Sequence, residues 1–285
     1  HVHTGLSGDG LSLDYGNICS PNASNQCGAI DDLVENAKAH SLDFISVTDH
    51  INGLQGAEDR SLFKAIQIKL MNANDPANDF ITLPGAEFWF QESGNGEFYG
   101  HRNLYFFAHN KRLSQMTLDS LQFNGTSTRV TDCDEIWTIM EQMEEVYGDV
   151  LLLPHHPAGY RSLNVPWSCF NDTYTPSVEV YSQHGNSMQG FPIFDPLTAP
   201  GSYEMGGAVE DAIHPALFGH TIGFFSSTDN HMTMPGDICN SNTNSATGML
   251  YGGGLSVVML DEGTPFTRAS IYDALVNRKT YATSG

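Results

Sequence analysis

Phe44-Ile45-Ser46-Val47-Thr48-Asp49-His50 is a short apolar run that stops on an acid and an imidazole. A run of this length and composition reads as a strand buried on both faces. The pattern recurs along the chain. Phe80-Ile81-Thr82-Leu83-Pro84 leads to Glu87, and Asn103-Leu104-Tyr105-Phe106-Phe107 follows His101. Val150-Leu151-Leu152-Leu153-Pro154 runs into His155 and His156. Val178-Glu179-Val180-Tyr181 ends near His184, and Ile222-Gly223-Phe224-Phe225-Ser226-Ser227 ends near Asp229 and His231. Leu255-Ser256-Val257-Val258-Met259-Leu260 is a last predicted strand. Residues 29–40 carry Ile30, Leu33, Val34 and Ala37 at helical spacing, and helices are also predicted over 58–73, 134–146 and 270–277. Strands alternating with helices predict parallel βα units. In parallel barrels the carboxyl ends of the strands carry the active site. The expected fold is therefore α/β, with polar residues gathered at strand ends.

Composition narrows the function. A chain of 285 residues makes either two ordinary domains or one large barrel. Hydrophobic residues at 40% and aromatics at 11% exclude a disordered chain. No apolar run approaches the roughly 18 residues of a membrane span. Lys and Arg total 12 against 33 Asp and Glu, a net charge of −21, which opposes a nucleic-acid surface. That charge either keeps the protein soluble or includes carboxylates that hold cations, and the 12 His favour the second reading.

Cys19, Cys27, Cys133, Cys169 and Cys239 contain no CxxC pair, which speaks against a structural zinc knuckle. Cys19 and Cys27 bracket the polar loop Ser20–Gln26. That loop suits a local disulfide and an oxidising compartment, with two unpaired thiols as the alternative. Few Lys, many Asn, Ser, Thr and Gly, and the acidic balance suit an extracellular or periplasmic protein. Sequons at Asn22, Asn124 and Asn171 carry little weight at this composition. The natural product is expected to extend beyond both His1 and Gly285, so the lack of a signal peptide is uninformative.

The polar residues at the predicted strand ends form one chemical set: His1, His3, Asp9, His50, Glu87, His101, His156, Asp229 and His231. These are nitrogen and oxygen ligands without thiolate, which suits zinc, manganese or iron. They are too many for one tetrahedral ion and match two or three divalent ions, with Glu87 able to bridge. His1 and His3, like Asp229 and His231, stand two apart, so a continuing strand turns both members of each pair to one face. Such clusters acidify a bound water and clamp the attacking and leaving oxygens of a phosphoryl group.

HVHTGLSGDG (1–10), SVTDH (46–50), PGAE (84–87), GHRNLYFF (100–107), LPHHP (153–157) and STDNH (227–231) resemble, in this order, the motifs of the PHP superfamily of polymerase and histidinol phosphatase domains. The closing KTYATSG (279–285) is similar to the end of an uncharacterised bacterial branch. The resemblance covers 1–285 and implies a single distorted (βα)7 barrel, a trinuclear metal site and phosphoesterase chemistry. It implies a first ion held by His1, His3 and Asp229, a second by Asp9, His50 and His231, and a third by His101 and His156, with Glu87 bridging the first and third. His156 is preferred to His155 because the family ligand directly precedes proline, here Pro157. His155 is then a supporting or substrate-contacting residue, and Asp49 orients His50 or a neighbour. The family's first strand, which leads into HxH, has no counterpart before His1.

Three residues are candidates for contact with an anionic small-molecule substrate. His184 stands at a strand end, where it can protonate a leaving oxygen. Arg102 follows His101, and Arg161 follows HHPAGY, and a guanidinium fork matches phosphate. Trp89, Phe90 and Trp167 either line the pocket or belong to the core. The expected activity is metal-dependent phosphoester hydrolysis, with Glu87, His184 and Arg102 as the catalytic set. Hydrolysis of an amide, ester or lactone on the same ions is the second reading. A non-catalytic metal-stabilised module of an exported assembly is the third.

Overall fold

The computed structural model describes residues 1–7, 28–51, 57–92, 98–108, 128–158, 165–188, 207–231, 235–236 and 253–284. Within them the chain is a mixed α/β structure with three small sheets. The principal sheet takes β1 (Phe44–Val47), β2 (Ile81–Glu92), β3 (Phe98–Phe106) and β5 (Val150–Pro154) in that order, with β4 (Thr128–Val130) paired to the far end of β2. A second sheet holds β6 (Ser177–Ser182) between β7 (Gly185–Asn186) and β8 (Gly223–Ser226). β9 (Leu255–Val258) and β10 (Thr280–Thr283) form an antiparallel pair.

The pairing corrects the all-parallel expectation. β1–β2 and β6–β8 are parallel, but β2–β3 and β3–β5 are antiparallel. The link from Glu92 to Phe98 is far too short for a parallel crossover, which takes a dozen or more residues. The chain therefore folds straight back. β3 runs against β1, β2 and β5, whose carboxyl ends share one edge of the sheet. The reversal also lengthens β2. The sequence suggested a strand ending near Glu87, whereas Glu87 lies within β2, paired with Asn103 in a ladder that continues to Gln91 and Phe98. Gly85 permits this pairing, because a Cβ there would sit 2.7 Å from the Leu104 carbonyl oxygen.

Four helices lie where periodicity places them: α1 (Gly28–Ala39), α2 (Ala57–Ala73), α3 (Cys133–Tyr147) and, after the short α4 (Val209–Ile213), α5 (Arg268–Val276). Ile30, Leu33, Val34 and Ala37 of α1 are buried, as are Phe63, Ile66 and Leu70 of α2 and Ile136, Trp137, Met140, Met143 and Tyr147 of α3. They pack with Ala86, Phe88, Phe90, Leu104 and Phe106 from one face of β2 and β3. Asp132 caps α3 by accepting from the Glu135 N–H at 3.0 Å, and Gly148 ends the helix at φ 80°. The opposite face of the sheet supplies Ile81, Leu83, Tyr105, Leu151 and Leu153 to a second core with Phe225, Ile271 and Leu275.

A disulfide joins Cys133, the first residue of α3, to Cys169 across 36 residues. No local feature of the sequence announces that pair. Cys19 and Cys27 lie outside the described residues. No helix among the described residues is long and apolar enough to cross a membrane.

Candidate metal centre

Backbone geometry aims the polar side chains at one point. The main chain of His1-Val2-His3 runs between β1 and the segment after β8: Val2 N–H donates to Ser46 O at 3.1 Å, and His3 N–H donates to Asn230 O at 2.9 Å. His50 forms a parallel bridge with Glu87, which brings the end of β1 beside the middle of β2. Across the antiparallel ladder Trp89 faces His101, so Glu87, Trp89 and His101 share a face. Two residues at the centre leave ordinary backbone space, His156 with φ 31° and Asp229 with φ 50°. Neighbours on a regular strand point to opposite faces. The left-handed turn at His156 lets His155 and His156 face the same way, their ring centroids 4.1 Å apart. Such conformations cost about 1–3 kcal/mol each and cluster at functional sites.

Of the expected ligands, His1, His3, His50, Glu87, His101, His156, Asp229 and His231 all converge, while Asp9 lies outside the described residues. Their atoms fall into overlapping groups lying within 4.8 Å of one another: His3, His50 and His231; His1, His3, Glu87 and Asp229; Glu87, His101 and His156. Ligand atoms on one tetrahedral zinc stand about 3.3–3.6 Å apart. The third group is already compact, with the His101 Nδ1 atom 3.0 Å from both Glu87 Oε1 and His156 Nε2. In the second group His3 Nε2 lies 2.9 Å from Asp229 Oδ1 and 3.3 Å from Glu87 Oε2. The two oxygens of Glu87 thus face different groups, Oε1 towards His50 and His101 and Oε2 towards His3 and His155.

The fit to a cation shows in buried atoms whose bonding is incomplete. His3 Nε2, Glu87 Oε2, His101 Nε2, His156 Nδ1 and both carboxylate oxygens of Asp229 are buried without a geometrically sound hydrogen bond. Among the described residues the ion-pair partners of Glu87 and Asp229 are all histidines. A buried constellation of this kind is expensive unless positive charge joins it. Protonation states agree. Burial holds His3 and His156 below the ordinary histidine range and takes His101 down to about 4. Burial alone raises the Glu87 carboxyl, but the imidazoles of His50, His155, His101 and His3 together bring it well below the usual carboxylate range. Asp229 is lowered similarly, with His155 foremost against its burial. The neutral imidazoles of His3, His101 and His156 and the ionised carboxylates are the forms that bind divalent ions. Against its burial, by contrast, the carboxylates of Glu179, Glu87 and Asp229 hold His155 well above the ordinary histidine range, with a proton that an ion at its Nε2 would displace.

Ser7, Thr4, Thr48, Gln183 and Glu179, which the sequence did not single out, join Asp49 and Trp89 in holding the imidazoles in place. Ser7 O–H donates to Asp49 Oδ1 at 2.9 Å and accepts from His3 Nδ1–H at 2.8 Å and from the His50 N–H at 3.0 Å. Asp49 therefore acts on His3 through Ser7, and it is also bound by the backbone and hydroxyl of Thr4. Thr48 Oγ1 lies 2.8 Å from His1 Nδ1, Gln183 Nε2 2.8 Å from His231 Nδ1, and Trp89 Nε1–H donates to His50 Nδ1 at 3.1 Å. Glu179 is the largest omission. It is fully buried and touches His1, His155, the His156 N–H and Ser227 Oγ. A charge within the apolar run Val178-Glu179-Val180-Tyr181 was the signal available for it.

His184 reaches the centre, its Nε2 2.8 Å from Asp229 Oδ2, and its side chain keeps 22% exposure at the rim. Arg102 does not reach it. The pleat turns Arg102 away from His101 into the outer core, where Nε donates to Tyr99 O at 3.2 Å and Nη2 to Cys169 O at 2.8 Å, with the guanidinium 5.4 Å from the centre of the Trp137 ring. Arg161 lies outside the described residues. Trp89 belongs to the site, while Phe90 and Trp167 are fully buried in cores on other faces. No family model matches the chain, and no curated protein matches it.

Proposed function

We propose that the chain is a metal-dependent hydrolase of the PHP type, a single domain over 1–285 whose strands belong to a distorted (βα)7 barrel. The observation that carries this reading is the double exposure of Glu87, with one carboxylate oxygen turned to each of two ligand groups. That arrangement suits a bridge between two divalent ions. His3, His50, His101, His156, Asp229 and His231 would hold two or three of them, with His1 and Asp9 completing the set that the resemblance implies. When bound, such ions supply an acidified water and positive charge for oxygens that turn negative in the transition state. Glu87 and Asp229 keep the cations together against their mutual repulsion. His184, the exposed imidazole at the rim, holds the proton for the leaving oxygen, and Asp229 Oδ2 fixes its ring. Trp89 forms a wall beside His50 and His101, against which part of the substrate packs. The Cys133–Cys169 disulfide supports an oxidising, extracellular or periplasmic setting.

Phosphoester hydrolysis is the reading of the resemblance. One observation favours the second reading, hydrolysis of an ester, amide or lactone: Arg102 is committed to backbone carbonyls, so the cation expected to meet a phosphate is engaged elsewhere. Both readings use the same ions. The test is metal content by mass spectrometry, followed by turnover of phosphomonoester, phosphodiester, carboxylic ester, amide and lactone substrates. Bound metal with phosphoester turnover sustains the first reading, and bound metal with turnover only at carbon sustains the second. A protein that binds no divalent ion ends both.

A further inference from the structure

The inner wall of the site contains an imidazole that the ligand set leaves out. His155 is buried on β5's exit beside His156. Its Nδ1–H donates to Glu179 Oε1 at 2.6 Å. Its other nitrogen, Nε2, lies 3.3 Å from Asp229 Oδ2 and 3.8 Å from Glu87 Oε2, the same oxygens that lack hydrogen bonds. His1, the neighbouring ring, has Nδ1 beside Thr48 Oγ1 and Nε2 3.1 Å from Glu179 Oε2 and 3.2 Å from His155 Nδ1.

We infer that His155 Nε2 is a further metal ligand, on the ion shared by Glu87 and Asp229, and that Glu179 is its positioning residue. The inference rests on the metal-centred reading above. A carboxylate on the remote nitrogen of an imidazole fixes the tautomer and turns the other lone pair to the metal. The molecule uses the same logic at His3, whose Nδ1–H is fixed by Ser7 and Asp49 while Nε2 faces Asp229 and Glu87. Glu179 itself is a poor ligand. Its Oε1 lies 2.6 Å from His155 Nδ1, a charge-assisted hydrogen bond. Its other contacts are donors: the Ser227 hydroxyl, the His156 N–H and His1. Glu179 therefore uses its oxygens to hold rings, which leaves His155 Nε2, turned to Asp229 and Glu87, for the ion.

The test loads chelator-stripped protein with Zn²⁺ alone and with Co²⁺ alone, comparing wild type, His155→Ala and Glu179→Gln. Stoichiometry, affinity by chelator competition, the visible Co²⁺ spectrum and the imidazole N–H proton resonances are read together, with near-ultraviolet circular dichroism as the control for folding. His155→Ala is expected to weaken one ion equivalent and change the Co²⁺ bands. Glu179→Gln is expected to keep the full stoichiometry at saturation but weaken that equivalent about 10–100-fold. A downfield N–H resonance from the His155–Glu179 pair should persist in the Zn²⁺-loaded wild type and vanish in both variants. Unchanged affinity and unchanged Co²⁺ bands in both folded variants overturn the inference and leave the hydrolase reading intact. If His155→Ala does not fold, an unchanged affinity in Glu179→Gln overturns it alone. A wild type that binds neither ion overturns the hydrolase reading, and this inference with it.

Discussion

His101 and Arg102 are neighbours on β3 and are both buried, yet they belong to opposite kinds of interior. Arg102 enters an apolar core in which most of its needs are met locally: two carbonyls accept from its guanidinium and Trp137 lies under its charge. Burial lowers its pKa to about 9, which leaves it charged at neutral pH. His101 enters a polar interior in which needs are left open. Its Nε2 has no hydrogen bond, and Glu87, His3, His156 and Asp229 of the same interior also keep unsatisfied atoms. Burial is therefore no guide to function in this sheet. What separates the two faces is how many buried polar atoms stay open: Arg102 leaves one, Nη1, while His101, Glu87, His3, His156 and Asp229 each leave at least one.

The sharpest test of the open interior is Glu87→Gln. The substitution keeps the shape and removes the charge that faces two ligand groups. Bound metal and hydrolysis should fall to background together, because no neutral imidazole can replace a bridging carboxylate. Full metal content in Glu87→Gln would show that Glu87 does not bridge two ions. His184→Ala should behave differently. Its ring lies at the rim, so metal content should stay at the wild-type level while turnover of the best substrate drops about 10²–10⁴-fold, the usual loss of a general acid. Unchanged turnover would return His184 to an ordering contact with Asp229.

Much of this organisation was legible in the sequence, and the gaps have physical causes. The helices were readable because α1 and α3 each bury one stripe against the sheet, which leaves a 3.6-residue rhythm in the chain. The ligand residues were readable because each follows or interrupts an apolar run. The reversal of β3 was not, since strand direction depends on the length of the link after Glu92 and not on residue type. Arg102 misleads for a related reason: adjacency to His101 suggests a shared pocket, but the pleat alternates faces. Ser7, Thr48 and Gln183 carry no pattern at all, because a side chain that holds an imidazole only needs to lie near it in space. The pairing of Cys133 with Cys169 is likewise set by where α3 meets the segment after β5.

That disulfide lies on the satisfied side of the comparison. Cys169→Ser should destabilise the protein by about 3–4 kcal/mol through the freed 36-residue loop, on the chain-entropy account. Denaturant unfolding measures it. Metal stoichiometry should be unchanged, because the bond braces the Arg102 face. Loss of metal in a folded Cys169→Ser protein would mean that the two interiors are coupled through β3.

A smaller effect separates the faces by pH. In chelator-stripped protein, His101 is neutral in the folded state down to about pH 4 but titrates near 6.5 when unfolded. Between those values the unfolded chain binds the extra proton, so stability falls as pH falls, by up to about 1.4 kcal/mol per pH unit from this residue. Thermal melts at pH 7 and pH 5 should show the drop, and His101→Gln should reduce it, with His3 and His156 still contributing in the same direction. A drop as large in His101→Gln as in the wild type would mean that His101 is not buried in its neutral form.

The smallest expected effect belongs to Arg102→Met. Methionine has a similar length and replaces a buried guanidinium with a thioether that packs well on an indole. The carbonyls of Tyr99 and Cys169 lose their donors, which is destabilising. The desolvation burden of the buried charge disappears at the same time, and such exchanges are often close to neutral. The net change in unfolding free energy should be within about 2 kcal/mol in either direction. Metal content and turnover should stay within a few-fold of wild type, since nothing on the His101 face changes. A substrate-binding arginine would behave in the opposite way, with stability unchanged and the KM for anionic substrates raised at least tenfold. Measuring unfolding and KM on the same preparation therefore decides which interior Arg102 belongs to, and a raised KM with unaltered stability would place its guanidinium in the site after all.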